Sequence, residues 1–369
     1  MSPKEKIPKT ILLSVIFGLL SSLVGSFTIL SFVLPADYWL GSNNISSQNE
    51  ELLKASLGVK AYGGLEVFKF LDSTLPTVAG IYKKKASAGA NLADSLYSEK
   101  ERLGSGFALT TDGWIISNKA VLDSLNVKGS KQLLAVYIKN KMYNVDTVIY
   151  DTWTDVVFLK INAENLSVAA LGDSDLVKLG DLVFGGVDKN NFWFSYISGV
   201  DFYPEGGKVL YSEEFGKRIK LQDKAASAAN GGLVANRSGE IIGIMVSEAK
   251  GNFVLPINYF KDLVSGVLKN KKVLRPYLGI TYIDLNAAVA GDLPNSGNGA
   301  FVRSVSADSP AGKAGIKAGD IVIGVDDEGF NESKNLSEII SEFEPGDGVN
   351  LKVLRNGKEM NINIVLGAI

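Results

Sequence analysis

The sequence predicts a mainly β protein with two folded units, preceded by an apolar N-terminal helix. Short runs of strand-forming residues alternate with turn signals such as Asp112-Gly113 and Ser238-Gly239, a spacing typical of β-barrels and sandwiches. Glycine is abundant, with 39 residues, and long helical patterns are few. With 369 residues, the chain is long enough for two or three domains.

The first predicted element is an uncharged, largely apolar stretch, Thr10–Leu34. It exceeds the roughly 20 residues that an α-helix needs to cross a bilayer. Three lysines precede it, so the positive-inside tendency predicts a cytoplasmic tail at 1–9 and a single-pass signal anchor at 10–36. The rest of the chain is then extracytoplasmic. A cleaved signal peptide is the alternative, but no clear small-x-small cleavage site follows the stretch.

Composition divides the remainder of the chain into two units. The polar residues 37–64 are typical of a linker, and a succession of strands over 65–267 predicts the first β unit. Residues 268–275 are predicted to be a second linker. The second unit then covers 276–369 and begins at Pro276.

Several classes of chemistry are excluded or disfavoured by composition. The chain contains no histidine and no cysteine, which excludes Ser-His-Asp and Cys-His mechanisms within it, and disulfides as well. The net charge is -2 with dispersed Lys and Arg, which argues against nucleic acid as a partner. Aspartate pairs such as Asp173/Asp175 and Asp326/Asp327 lie in turn-rich segments that favour Asp structurally. No metal and no cofactor is therefore predicted.

Five stretches of the first unit carry a family resemblance. They are GSGFALTTDGWIISNKAVL (Gly104–Leu122), DTWTDVVFLKI (Asp151–Ile161), LGDSDLVKLGDLVFGGV (Leu171–Val187), YISGVDF (Tyr196–Phe202) and LQDKAASAANGGLVANRSGEIIGI (Leu221–Ile244). In this order they resemble the HtrA/DegP family of exported serine proteases. The resemblance implies a trypsin-like double β-barrel followed by a PDZ domain.

The resemblance also indicates the catalytic positions, and two of the three carry other residues here. The family's histidine position is Ala120, its aspartate position is Asp155 and its serine position is Asn230. Alanine cannot accept a proton, and asparagine is not deprotonated near neutral pH. The sequence therefore predicts a catalytically degenerate member, a pseudoprotease. The alternative is an active serine endopeptidase with a non-standard site, such as Lys119 with Ser227.

The second unit resembles a PDZ domain in YLGI (Tyr277–Ile280) and in SPAGKAGIKAGDIV (Ser309–Val322). The resemblance implies that backbone N–H groups around a glycine bind a peptide's terminal carboxylate, and that the strand at 281–283 offers an open edge for an added strand. The predicted peptide-binding residues are Tyr277, Leu278, Gly279, Ile280, Tyr282, Leu336, Ile339 and Ile340. In the helical pattern at 335–343, Leu336, Ile339, Ile340 and Phe343 recur at helical spacing, and the alternative is that all four face the core.

These observations together predict a membrane-anchored, HtrA-like pseudoprotease of the bacterial envelope. It is expected to bind protein C-termini or unfolded segments, as a scaffold, a chaperone-like protein or a regulatory subunit in protein quality control. The resemblance further implies a homotrimer, or a mixed trimer with HtrA paralogues. A third hypothesis is a purely structural envelope protein whose PDZ groove is blocked.

Overall fold

A computed structural model describes residues 67, 69–85, 96–123, 133–188, 191–202, 209–223, 229–248, 251–285, 299–330 and 334–369. The predicted tail, anchor and first linker lie outside these residues. Within the described part of the chain, no helix has both the length and the apolar character needed to span a membrane.

Six strands form the first closed barrel, in the order β1-β2-β3-β6-β5-β4 with antiparallel neighbours. They are β1 (Val78–Lys83), β2 (Arg102–Ala108), β3 (Trp114–Asn118), β4 (Leu134–Ile138), β5 (Lys141–Tyr150) and β6 (Val156–Ile161). A short helix, α1 (Ala120–Asp123), follows β3.

A second closed barrel has the order β10-β13-β12-β11-β7-β8. Its strands are β7 (Leu182–Asp188), β8 (Asn191–Phe202), β10 (Lys217–Leu221), β11 (Leu233–Ala235), β12 (Ile241–Glu248) and β13 (Gly251–Pro256). Helix α2 (Lys261–Asn270) leads out of this barrel.

Alternating side chains explain why the two barrels pack together. On β3 and β6, Ile115 and Leu159 are buried inside the first barrel. Their neighbours Ile116 and Phe158 point to the opposite face of the strands, where they pack in a cluster that includes Leu233 of the second barrel. The nearly continuous apolar runs of these strands are therefore required, because both faces are buried.

The C-terminal unit is built on a third sheet, in the order β20-β19-β17-β16-β15-β9, with β18 paired to β17. Strands β14 and β21 form a separate two-stranded sheet. Its strands within the unit are β14 (Pro276–Tyr277), β15 (Ile280–Asp284), β16 (Ala300–Val305), β17 (Ile321–Val325), β18 (Glu328–Gly329), β19 (Gly348–Arg355), β20 (Lys358–Val365) and β21 (Gly367–Ala368). Helices α3 (Pro310–Ala314) and α4 (Leu336–Ile340) pack on this sheet. The remaining strand, β9 (Leu210–Tyr211), comes from the connection between β8 and β10.

The predicted fold class is confirmed for the described residues: a mainly β chain with a trypsin-like double barrel and a PDZ domain. The predicted linker at 268–275 differs from the structure, because it begins inside α2 and ends at Arg275, which is buried. The Arg275 guanidinium pairs with the buried carboxylate of Asp151 in the first barrel, with Nε 3.1 Å from both carboxylate oxygens. Arg275 therefore attaches the end of this segment to the first barrel.

Candidate functional site

The three positions predicted from the family's catalytic residues are brought close together. The backbone N–H of Lys119 donates to the carbonyl of Asp155 at 2.7 Å, which places Ala120 beside that aspartate. On the other side of β3, the carbonyl of Asn230 accepts from the N–H of Ser105 at 2.8 Å. The strand pairing of β2 with β3 then connects the two sides.

The Gly-Gly turn after Asn230 is tightly packed. Gly231 has a φ of +80°, and a Cβ at this position would lie 2.3 Å from Ser117 Oγ and 2.5 Å from the carbonyl of Ser105. Only glycine fits this backbone without displacing β2 or β3. The side chain of Asn230 is also engaged, since its Oδ1 accepts a hydrogen bond from the backbone N–H of Ser247 at 3.2 Å.

The groups around Ala120 are suited to structure rather than proton transfer. Ala120 begins α1, and its N–H donates to Asn118 Oδ1 at 2.8 Å. Asp155 is exposed, with a φ of +57°, in the turn before β6. Strand β3 ends at Asn118, where the chain turns into α1, so Lys119 and Ala120 do not lie on the strand.

Lys119 is paired with an acid. Its Nζ lies 3.0 Å from Asp123 Oδ2, and this hydrogen bond raises the pKa of the lysine above its ordinary value. A lysine acting as a general base needs the opposite shift, because the neutral amine is the base. Ser227, the other half of the alternative site, lies outside the described residues.

The predicted carboxylate-binding loop of the PDZ domain does hold a carboxylate. Gly279 has a φ of +82°, and the N–H groups of Leu278 and Gly279 both donate to Glu213 Oε1 at 3.1 Å. Glu213 belongs to the connection between β8 and β10, and its side chain is buried, with 5% of the residue exposed. The Ser212 hydroxyl donates to the same oxygen at 2.5 Å.

The edge of β15 was predicted to be open, and this prediction is wrong in the structure. Leu210 and Tyr211 form β9 and pair antiparallel with β15, opposite Tyr282 and Thr281 respectively. An unpaired strand edge is a template for another strand, and here the chain itself supplies that strand.

The predicted peptide-binding residues, apart from the glycine and Tyr277, lie in one buried cluster together with Leu210. These residues are Leu278, Ile280, Tyr282, Leu336, Ile339 and Ile340, each 2% exposed or less. Tyr277 is half-buried and pairs with Gly367 in the two-stranded sheet. The three helical residues thus pack into the domain core, and Leu210 reaches the same cluster from the neighbouring domain.

Sequence reasoning did not identify Glu213 or Ser337. Ser337 Oγ lies 2.8 Å from Tyr282 Oη and donates to the carbonyl of Tyr211 at 3.1 Å, so that α4 contacts the far side of β9. A serine between the apolar residues of a short amphipathic helix was the available signal. Glu213 has no comparable signal, because an acid in a polar connection resembles any surface residue.

Helix α4 is also tied to the barrels through a buried carboxyl group. Tyr259 Oη, after β13, donates to Glu338 Oε1 at 2.7 Å. Burial raises the pKa of Glu338 to about 7, although hydrogen bonds from Asn335 and Tyr259 act in the opposite direction. Burial likewise raises the pKa of Tyr259 well above its ordinary value. The groove and the double barrel therefore share a titratable contact.

Family models match both folded units. Residues 104–244 match the trypsin-like peptidase domain, and residues 276–366 match the PDZ domain. A probable periplasmic serine endoprotease, DegP-like, from Halomonas elongata is 30% identical over 277 residues, which cover 73% of this chain and 57% of that protein. The serine endoprotease DegS of Haemophilus influenzae is 26% identical over 79% of this chain and 84% of its own length.

The chain belongs to the HtrA family. It spans less than two thirds of the DegP-like relatives that it matches. Among solved structures, this HtrA-family chain is similar to an HtrA-type protease AlgW with tripeptide, with a TM-score of 0.59, 22% identity, and coverage of 82% of this chain and 97% of that one. At this identity the likeness establishes the fold alone.

Proposed function

We propose that this HtrA-family protein is a membrane-anchored pseudoprotease that binds the C-termini or unfolded segments of other proteins through its PDZ groove. It acts in envelope protein quality control as a scaffold, a chaperone-like protein or a regulatory subunit. The segment at 10–36 anchors it in the cytoplasmic membrane with both folded domains outside the cytoplasm. It assembles as a trimer, alone or with active paralogues.

One observation carries the binding proposal: the N–H groups of Leu278 and Gly279 converge on one carboxylate oxygen at 3.1 Å. A loop with two N–H groups pointing at one oxygen is an anion site, and a main-chain carboxylate has the same chemistry as the Glu213 side chain that now occupies it. The serine endoprotease relatives, and the structures titled as peptide-bound, support a polypeptide as ligand.

The proposal of lost catalysis is supported by the chemistry of the three positions. A serine protease needs a nucleophile and a base that takes its proton. At positions 120 and 230 the chain provides a methyl group and an amide, and the amide oxygen of Asn230 accepts from Ser247. The protonated Lys119 does not replace the missing base.

The binding proposal is tested by titrating the full chain with fluorescent peptides that differ only in a free or an amidated C-terminus. We expect the free carboxylate to bind about tenfold more tightly or better, since charge-assisted hydrogen bonds to both N–H groups are lost on amidation. Equal binding of the two forms would contradict a carboxylate receptor.

The proposal of lost catalysis is tested separately, with a fluorophosphonate probe and an unfolded protein substrate. We expect neither labelling nor hydrolysis between acidic and alkaline pH. Labelling of a single serine that is lost in Ser227→Ala or in Lys119→Ala would establish the alternative, an active endopeptidase with a non-standard site.

A further inference from the structure

Residues 209–214 lie in the PDZ groove in the orientation of a peptide ligand. β9 runs antiparallel to β15, and therefore toward the loop that precedes β15. The N–H of Ser212 donates to the carbonyl of Ile280 at 3.0 Å, and the N–H of Ile280 donates to Ser212 Oγ at 3.2 Å. Backbone pairing of this kind is how an extended peptide joins a sheet edge.

Two side chains anchor the segment. Leu210, 6% exposed, is buried in the PDZ core cluster beside Tyr282 and Ile339. Three residues further on, the Glu213 carboxylate lies in the loop of Leu278 and Gly279. The segment thus combines an apolar anchor with a carboxylate.

After the Glu213 carboxylate the chain turns away from the groove. A peptide ligand bound in the same way would end at this point. The N–H of Glu214 donates to the carbonyl of Tyr211 at 2.9 Å, which closes a turn. Phe215 then packs against the barrel side of the junction. Its ring centroid lies 4.3 Å from the ring centroid of Tyr259, and the Arg275 guanidinium lies 4.7 Å from the centroid of the Phe215 ring. A side-chain carboxylate therefore substitutes for the terminal carboxylate of a peptide.

The groove is filled by this segment. The edge of β15 is paired with β9, and the N–H groups of Leu278 and Gly279 are both bonded to Glu213. Beside Ser212, Glu213 and Ser337, at the junction with the barrels, lies a small cavity of about 10 Å³. One water molecule needs at least as much, roughly 10–15 Å³. A second peptide therefore cannot enter while residues 209–214 occupy their place.

We propose that residues 209–214 are an intrachain ligand that closes the PDZ groove, and that a protein C-terminus binds only by displacing them. This inference rests on the proposed function of the groove as a carboxylate receptor. Because the segment connects β8 and β10, its displacement by a peptide also moves the connection between these two paired strands of the second barrel.

The first experiment compares peptide affinity in three forms of the full chain. The probe is the peptide Lys-Val-Leu-Tyr-Ser-Glu, labelled at its N-terminus and free at its C-terminus. The test variant is Leu210→Ala with Glu213→Ala, which removes both anchors. The matched control is Val365→Ala with Glu359→Ala, which removes an apolar and an acidic side chain from exposed positions of β20, outside residues 209–214; Val365 is 66% exposed.

We expect the test variant to bind the probe about tenfold more tightly or better than the natural chain. The reason is that the apparent affinity is proportional to the fraction of molecules whose groove is open. The control variant should match the natural chain. Equal affinity in the natural chain and a folded test variant would overturn the inference. If no peptide with a free C-terminus binds the test variant, the proposed receptor function itself fails, which is a different result.

A second experiment does not depend on removing buried side chains. Tyr211 and Thr281 are direct cross-strand partners, and such pairs lie within the Cα separation that a disulfide bridges. The chain contains no cysteine, so Tyr211→Cys with Thr281→Cys introduces the only possible pair.

We expect the oxidised pair to lose probe binding and to regain it on reduction, while Tyr211→Cys alone binds in both conditions. A pair that does not form a disulfide under oxidising conditions would contradict the position of the segment. A disulfide-linked protein that still binds the probe as the reduced form does would contradict closure of the groove.

Discussion

The site between the barrels and the groove of the PDZ domain differ in what each contains. At the barrel site the backbone is closely packed around Gly231, yet positions 120 and 230 carry no group that transfers a proton. In the groove the loop, the strand edge and the helix are all present, and a segment of the same chain occupies them. A changed side chain is visible in a sequence, whereas the occupancy of a site is visible only in the structure.

The largest expected effect comes from replacing the missing groups at the barrel site. If only side chains are lacking, Ala120→His with Asn230→Ser should raise hydrolysis of an unfolded protein on the order of 10³-fold over either single variant, because nucleophile and base act as a unit. The rate is measured with a fluorescent casein, and Asn230→Ser alone is the control. A folded double variant without activity would show that the backbone around positions 120 and 230 also differs from that of an active protease.

The next effect concerns the carboxylate-binding loop. Gly279→Ala combines the cost of a positive φ with a Cβ 2.2 Å from Ser309 Cβ, and Ser309 caps α3. We expect the free energy of unfolding to fall by about 3 kcal/mol. Gly315→Ala is the matched control, since its φ is +85° but no atom lies within 4 Å of the added Cβ.

Chemical denaturation measures the free energy of unfolding of both glycine variants. For Gly315→Ala this free energy should fall by only about 1 kcal/mol. Equal losses would mean that the loop moves aside from Ser309 without cost. The groove would then be a more adaptable structure than the Gly-Gly turn of the barrel site.

An effect of similar size, but dependent on pH, is expected at Glu338 because its pKa is raised from 4.5 to about 7 by burial. Between these two pH values the native state holds a proton that the unfolded chain has released. The contribution of the protonated group to the free energy of unfolding is therefore complete below pH 4.5 and is lost as the pH rises through 7. The loss is about 3 kcal/mol.

Urea unfolding on both sides of that pH range measures this component. Glu338→Gln should remove it, because the amide does not titrate, and should be more stable than the natural chain at the alkaline end. An unchanged pH dependence in the variant would assign the titration to another group and weaken the link between α4 and Tyr259.

The smallest effect is expected for Lys119→Ala. Its partner Asp123 lies four residues along the chain, and both side chains are partly exposed. Such pairs contribute about 0.3–0.5 kcal/mol, so unfolding and probe binding should hardly change. Fluorophosphonate labelling of the natural chain that is absent in this variant would instead reveal a catalytic lysine and remove the contrast between the two sites.

Much of the fold was predictable because local chemistry determines it. The turns at Asp112-Gly113 and Ser238-Gly239, the strand patterns between them and the glycine of the Tyr277–Ile280 loop each indicate their own geometry. The occupied groove was not predictable in the same way. Leu210 pairs with a strand about seventy residues further along the chain, and nothing in its neighbourhood specifies that partner.

At the candidate barrel site, too, the sequence predicted some features and not others. The sequence alone predicts that Ala120 and Asn230 occupy two of the family's catalytic positions, because a family pattern exists for those positions. It did not reveal that the Asn230 amide bonds to Ser247, since that contact depends on the return of β12 beside the turn. Pairings between distant elements are set by the packing of the whole barrel rather than by local pattern.

Because residues 209–214 are attached to the chain, they compete for the groove at a fixed effective concentration. A tethered ligand does not become dilute when the protein does, and short flexible linkers give effective concentrations on the order of millimolar. An isolated C-terminus at low abundance therefore competes poorly for the loop of Leu278 and Gly279. Under the proposed closure, chain ends that accumulate, or that are presented in several copies on one surface, compete well. The groove is therefore expected to respond to a high local concentration of exposed chain ends rather than to their mere presence.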